Sequence, residues 1–261
     1  MRLLLVRHGA GEGQEGRVIG HADPPLSQRG RAQIENLLGT AGERPGRLVT
    51  SDLRRARSSA EILGSHWNLE PVIDARLREL DFGEWESRTW RELEREDPDR
   101  LGRWMRDWAR TPAPGGESFV ELVARVSGWL EQWDWGDGSE GATVVVAHAG
   151  SIRAILCRLL GVPLDEAFGF EVDYARVTAL TLWGSVPSLI CRNAERWPDP
   201  PPRDDAQRRC PRCGEANECA VAAGKSVSAC WCFGTAIPRE RLAELPEASR
   251  GEVCVCRRCA E

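Results

Sequence analysis

The sequence predicts an α/β fold, a three-layer arrangement of a mostly parallel sheet with helices on both faces, plus a small cysteine-rich, metal-binding appendage. Three observations predict it. Short apolar runs alternate with stretches of helical periodicity over residues 1–196. Eight of the ten cysteines crowd between Cys210 and Cys259. Between these regions, residues 197–205 read Trp-Pro-Asp-Pro-Pro-Pro-Arg-Asp-Asp, a polyproline spacer with no apolar face to bury. The division is therefore an α/β domain at 1–196, a proline-rich linker at 197–208 and a cysteine-rich domain at 209–261.

The elements follow in order. Leu3–Val6 is a short buried strand, and Leu26–Leu38 has helical spacing behind a Ser27 start signal. Arg47–Thr50 is a second strand, leading into a helix across Leu53–Leu63. Glu117–Trp133 is a long amphipathic helix. Ala142–Ala147 holds three consecutive valines and is the plainest strand, with a helix at Ser151–Leu160 after it. Ala179–Trp183 and Ser188–Cys191 close the region as edge strands. Apolar strands separated by helices imply a sheet covered on both sides.

Composition excludes several classes. The net charge of −5 is spread over interspersed acids and bases, with no tail suited to nucleic acid or a membrane surface. The apolar run after Met1 is too short for a signal-peptide core, and no stretch approaches the ~20 apolar residues of a membrane helix. A cytoplasmic location follows as an expectation. In a reducing compartment, clustered cysteines point to metal rather than disulfides.

Ligands of open α/β sheets bind beyond the carboxyl ends of the strands. Arg7-His8-Gly9, Ser51-Asp52-Leu53-Arg54-Arg55 and His148-Ala149-Gly150 all occupy such positions. Singly, each fits a structural role: a histidine ending a strand, arginines on a solvated helix start. Together they bring two histidines and at least two arginines to one rim, an anion site with a nucleophile in it.

Five blocks carry a family resemblance, in order along residues 1–193. They are Leu-Val-Arg-His-Gly, Pro-Leu-Ser-Gln-Arg-Gly-Arg-Ala-Gln, Ser51 to Ala60, Leu77 to Glu86, and Val-Ala-His-Ala-Gly at 146–150. The chain resembles the histidine phosphatase (phosphoglycerate mutase-like) superfamily. The resemblance implies that His8 is the nucleophile, carrying a phosphohistidine, because neutral imidazole attacks well near pH 7. Its attacking nitrogen must be unprotonated, which a hydrogen bond at the other ring nitrogen enforces. Arg7, Arg55 and His148 would surround the phosphoryl oxygens; Arg55 is chosen over Arg54 because the family's arginine directly precedes Ala56. Glu79 would be the general acid, a role worth about 10²–10⁴-fold; read without the resemblance, it is a surface carboxylate pairing with Arg78. Two positions depart from the family: Ala10-Gly11-Glu12 replaces a glutamate after Arg-His-Gly, and Gln14 stands where asparagine is common. Gln14 keeps an amide donor and remains a phosphate ligand in this reading.

The segment between Glu79 and Ser118, with Trp85, Trp90, Trp104 and Trp108, reads as a lobe capping the pocket. It is similar to the α-ribazole-5′-phosphate phosphatases of cobalamin biosynthesis, as is Leu159 to Asp173. The substrate thereby implied is a small-molecule phosphate ester, α-ribazole 5′-phosphate or adenosylcobalamin 5′-phosphate, with no catalytic cofactor. Phosphoglycerate mutase or another sugar-phosphate phosphatase is the alternative enzyme, and a non-catalytic phosphate-binding module the alternative class. The tryptophans either stack on a base or, as the helical recurrence of Leu101, Trp104 and Trp108 favours, pack a core.

The tail has few large aliphatics, too few to bury a core unaided. Cys210, Cys213, Cys219, Cys230, Cys232, Cys254, Cys256 and Cys259 are its expected metal ligands, most simply around two structural zinc ions. Each Cys-x-Cys pair, if extended, presents both sulfurs on one face. Which cysteines share an ion is left open, as are disulfides and a single metal. Arg208, Arg209, Arg212, Arg257 and Arg258 flank the outermost cysteines and are expected to offset thiolate charge. The segment is similar to the cysteine-rich CWC family, named for Cys230-Trp231-Cys232, and a protein partner docking there is a further expectation.

Overall fold

A computed structural model of the chain describes residues 2–42, 44–133, 141–183, 186–198, 209–219, 230–232, 235, 237–238, 245 and 254–260. The chain divides into two compact units, Arg2–Asp134 with Ala142–Pro198, and a second that takes in Asp199–Glu261. Most of the proline-rich spacer, 199–208, including Arg208, lies outside the described residues.

In the first unit, β1 (Arg2–Arg7), β2 (Arg47–Thr50), β3 (Val72–Ile73), β4 (Thr143–Ala147), β5 (Val177–Trp183) and β6 (Val186–Ala194) form one sheet. Their order is β3-β2-β4-β1-β5-β6. The first four are parallel to one another, while β5 pairs antiparallel with β1 and β6 antiparallel with β5. The sheet is thus mixed. β5 is not an edge strand: it lies between β1 and β6, with Val177, Ala179 and Leu180 fully buried. A run of β-branched and apolar residues marks a strand but carries no direction or neighbour.

Among the described residues of this unit, six α-helices cover the sheet or build on it: α1 (Gln28–Leu38), α2 (Arg54–Trp67), α3 (Trp90–Glu96), α4 (Pro98–Arg106), α5 (Phe119–Gln132) and α6 (Ala149–Leu160). α1 starts where Ser27 accepts from the Gly30 N–H, and α5 starts with a capping box between Ser118 and Glu121. α6 ends at Gly161, whose φ of 67° is the left-handed conformation that glycine adopts without Cβ strain. Alternate strand residues face opposite ways. Leu4, Val6, Leu48, Val144 and Val146 meet Ile34, Leu37, Ala60, Leu63 and Trp67 of α1 and α2. Leu3, Leu5, Val49 and Val145, also buried, face the other side, where α6 packs on β1 and α5 on α6. Trp197, at the start of the spacer by sequence, belongs instead to the first core, with its ring 5.5 Å from that of Trp67.

This topology places the site. β1 and β4 are parallel neighbours, but β1 leads into a helix on one face and β4 into a helix on the other. The gap beyond their carboxyl ends is a switch point, where such sheets bind ligands. α3 and α4 form a lobe with its own core of Val18, Trp85, Leu93, Leu101, Trp104 and Ala113. Backbone bonds from Val18 to Arg88 and from Ser87 to Val18 join this lobe to the segment that lines the cleft.

Candidate active site

His8 directly follows β1, and its backbone N–H donates to the Ala147 carbonyl at 3.0 Å, lacing the ends of β1 and β4 together. The ring is 97% shielded from solvent (3% exposed). Nδ1 lies 2.6 Å from the Gly9 carbonyl, which only a donor can satisfy, so the single ring proton sits there. Nε2 then accepts from Arg55 Nε at 3.3 Å. The His148 ring lies edge-on, its centroid 4.8 Å from that of His8.

Arg55, in the first turn of α2, is 1% exposed. Its two terminal nitrogens donate to the Ala22 and Gly20 carbonyls at 2.8 and 2.7 Å. Those carbonyls are themselves positioned by Glu86, whose carboxylate accepts from the N–H groups of Gly20, His21, Ala22 and Phe82. Arg54 is exposed, and only its backbone is held, by Asp23 at 2.7 Å. Arg7 donates to the Val172 carbonyl at 2.7 Å, with its guanidinium carbon 3.7 Å from the centre of the Tyr174 ring.

Glu79 does not pair with Arg78, which binds Asp52 at 2.8 Å. One Glu79 oxygen accepts from the Gly150 N–H at 2.8 Å and the Leu80 N–H at 2.9 Å. Gly150 makes this approach possible, since a Cβ there would lie 2.1 Å from that oxygen. Gln14 is buried, its amide oxygen accepting from the Gly11 N–H and the Tyr174 hydroxyl at 3.0 and 3.1 Å.

Arg7, His8, Gln14, Arg55 and Glu79 line one open cleft, together with Arg17, Ile19 and Tyr174. His148 is set behind His8, fully buried, and both its ring nitrogens are without hydrogen-bond partners among the described residues. Burial, then the charges of Arg55 and Arg7, hold the His8 pKa well below the ordinary imidazole value, against the Gly9 carbonyl. Burial also lowers His148, followed by Arg55, His8 and Arg7. Both imidazoles are neutral at pH 7, and the cleft presents the unprotonated Nε2 of His8 among guanidinium groups.

Sequence reasoning missed four residues. Tyr174 is the chain's sole tyrosine, a signal that was there to be used. Ser59, whose hydroxyl accepts from Gly9 N–H at 3.1 Å, and Glu86 sit inside motif blocks but act through backbone groups, which no side-chain pattern reports. Arg17 had no signal. The four tryptophans of the lobe are absent from the cleft lining: Trp85 and Trp104 are buried in its core, Trp90 packs on Trp104, and Trp108 lies between Phe119 and Phe168.

In the second unit, the sulfurs of Cys210, Cys213, Cys256 and Cys259 lie within 4.8 Å of one another, as do those of Cys219, Cys230 and Cys254. Cys232 Sγ is 3.3 Å from Cys230 Sγ. Such thiol clusters suit a soft, tetrahedral metal ion. Of the flanking arginines, Arg258 has its pKa raised by the neighbouring Cys213 side chain. Arg209 and Arg212 bond the carbonyls of Gly214 and Cys259, and Arg257 lies over Trp231.

A switch-point cleft with an unprotonated imidazole nitrogen, clustered guanidinium groups and a carboxylate defines an enzyme of phosphoryl transfer. The model of the histidine phosphatase superfamily (branch 1) matches residues 3–195, and that of the cysteine-rich CWC family residues 210–261. The chain belongs to the histidine phosphatase superfamily and is a phosphoric monoester hydrolase. It is 31% identical over 196 residues to the adenosylcobalamin/alpha-ribazole phosphatase of Salmonella typhimurium, covering 74% of this chain and 96% of that one. It is 39% identical over 173 residues to the glucosyl-3-phosphoglycerate phosphatase of Mycolicibacterium vanbaalenii, covering 63% of this chain and 76% of that one. The crystal structure of the alpha-ribazole phosphatase from Shigella flexneri superimposes with a TM-score of 0.70 at 29% identity, covering 77% of this chain and all of that one.

Proposed function

We propose that the chain hydrolyses a small phosphate monoester through a phosphohistidine on His8. The observation that carries this reading is the His8 ring itself, with its proton fixed on Nδ1 by the Gly9 carbonyl and its unprotonated Nε2 lone pair held at the cleft by a long, 3.3 Å bond from Arg55 Nε. In the first step Nε2 attacks phosphorus and the bond to the ester oxygen breaks. Glu79 protonates the departing alkoxide. In the second step water attacks the phosphohistidine, Glu79 takes a proton from it, and the P–N bond breaks, returning His8 to its starting state. Arg7, Arg55 and the Gln14 amide nitrogen face the phosphoryl oxygens, with His148 packed edge-on behind the His8 ring. Because both histidines are neutral beforehand, Arg7 and Arg55 supply the positive charge. No catalytic metal is needed for these steps. In the tail, the eight cysteines hold structural zinc.

The substrate is α-ribazole 5′-phosphate or its corrinoid-linked form, a reading supported by the extent of similarity to the Salmonella and Shigella proteins. One observation favours a second reading, a sugar-phosphate carrying another acidic group: Arg17 adds a further cation to the cleft, and none of the lobe's tryptophans lines it for base stacking. Phosphate release from α-ribazole 5′-phosphate and from glucosyl-3-phosphoglycerate, measured side by side, decides between them. A kcat/KM at least tenfold higher on the ribazole ester supports the first; the reverse order replaces it with the second.

A further inference from the structure

The cysteine-rich segment brings seven of its eight sulfurs into two groups that do not follow their spacing in sequence. Cys210, Cys213, Cys256 and Cys259 form the first group, with Cys213 and Cys256 sulfurs 3.7 Å apart. Four sulfurs bound tetrahedrally at about 2.3 Å from zinc are separated by roughly 3.8 Å, so this spacing is already that of a metal centre. The second group holds Cys219, Cys230 and Cys254. Cys232 lies beside them, its sulfur 3.3 Å from that of Cys230 and its side chain packed in the same cluster as Cys219, Cys230 and Cys254.

The adjacent pair Cys254-Val255-Cys256 is therefore split. An extended Cys-x-Cys would offer both sulfurs to one ion, but here Cys254 turns to one group and Cys256 to the other. Val255, between them, is buried in the apolar cluster around the first group, with Cys210, Leu245 and Ala260. Fully buried Asn217 fixes the second side of the split. Its side-chain nitrogen donates to the Cys254 carbonyl at 2.9 Å, its side-chain oxygen accepts from the Cys219 N–H at 3.0 Å, and its backbone carbonyl accepts from the Trp231 indole at 3.0 Å. One side chain and its own carbonyl thus tie together the three chain segments that supply the second group.

We infer that the segment carries two separate tetrathiolate metal centres of nested ligand order, Cys210, Cys213, Cys256 and Cys259 outside and Cys219, Cys230, Cys232 and Cys254 inside. This inference rests on the reading of the tail as zinc-binding and adds which thiols share an ion. In sequence the outer set brackets all of the inner one, and Val255 separates Cys254 of the inner from Cys256 of the outer. The chemical class of the ion is a soft divalent cation indifferent to geometry, as zinc or cadmium is.

The test uses the full chain loaded with ¹¹³Cd, correlating cysteine β-protons with cadmium by NMR. Two cadmium resonances are expected, one coupled to residues 210, 213, 256 and 259, the other to 219, 230, 232 and 254. Cys254 and Cys256 coupled to the same ion, or Cys232 coupled to none, would overturn the nested order while leaving metal binding intact. A chain that retains no metal would instead overturn the zinc-binding reading itself. Paired variants give an independent readout by native mass spectrometry, at a chelator concentration the unaltered chain withstands. The Cys219→Ser/Cys254→Ser chain should keep one ion, and the Cys254→Ser/Cys256→Ser chain should lose both. One ion kept by the second pair contradicts the inference.

Discussion

His8 carries its only ring proton toward the Gly9 carbonyl, and this one bond decides which nitrogen can attack. Arg55 donates to the His8 lone pair and, in the proposed mechanism, also bears the charge that a phosphoryl group meets. Arg55→Ala should lower kcat by about 10²–10³-fold, the usual cost of deleting one preorganised donor at developing charge; steady-state kinetics on a phosphate ester checks it. Glu79→Gln keeps the oxygen that accepts from Gly150 but removes the transferable proton, so kcat should fall about 10²–10⁴-fold. That loss should shrink for an ester whose leaving group needs no proton, such as a nitrophenyl phosphate. A Glu79→Gln chain losing equal activity on both ester types would argue against the general-acid role. The residues that touch the cleft were largely legible because Arg7, His8, Arg55 and Glu79 stand in order-preserving motif blocks. Tyr174 was not, because its contacts with Arg7, His8 and Gln14 come from a loop far along the chain.

Elements, not single side chains, hold these groups in place. The loop at 20–22 grips Arg55 with two carbonyls and is itself held by the Glu86 carboxylate through three of its backbone N–H groups. Glu86→Gln replaces one acceptor oxygen by a donor facing N–H groups. It should cost about 1–3 kcal/mol in urea-induced unfolding, with a fall in kcat as Arg55 loosens. The amino end of α6 is fitted to Glu79 in the same way. Gly150→Ala sets a methyl 2.1 Å from the Glu79 oxygen, and kcat should drop about 10²-fold as the carboxylate is displaced. Strand and helix existence could be read from the sequence wherever a run was long enough. β3 escaped because two residues, Val72 and Ile73, both about half exposed, form no pattern. The antiparallel entry of β5 between β1 and β6 escaped because sequence records burial, not direction.

For the molecule as a whole, two buried neutral histidines make folding sensitive to acid. Unfolded, each imidazole takes a proton near its ordinary pKa; folded, each takes it only well below. Stability from this source is complete above the ordinary imidazole range and is lost as pH falls below about 6.5, by up to about 1.4 kcal/mol per pH unit per histidine. Chemical unfolding at stepped pH should show the decline, and His148→Asn should reduce its slope. The tail is a different case. Its clustering of thiols was legible from cysteine count, but the split between Cys254 and Cys256 depends on Asn217 and Val255, which spacing rules do not see. If residues 1–196 act independently, a chain ending after Pro198 should keep its kcat within about twofold while losing all bound metal. The central claim, that His8 itself carries the phosphoryl group, is tested most directly by rapid quenching during turnover of a ³²P-labelled ester. Label that survives base, is released by acid and maps to the peptide containing His8 is the expected result. Full turnover with no label on the protein, or with label on an acid-stable residue, would contradict it.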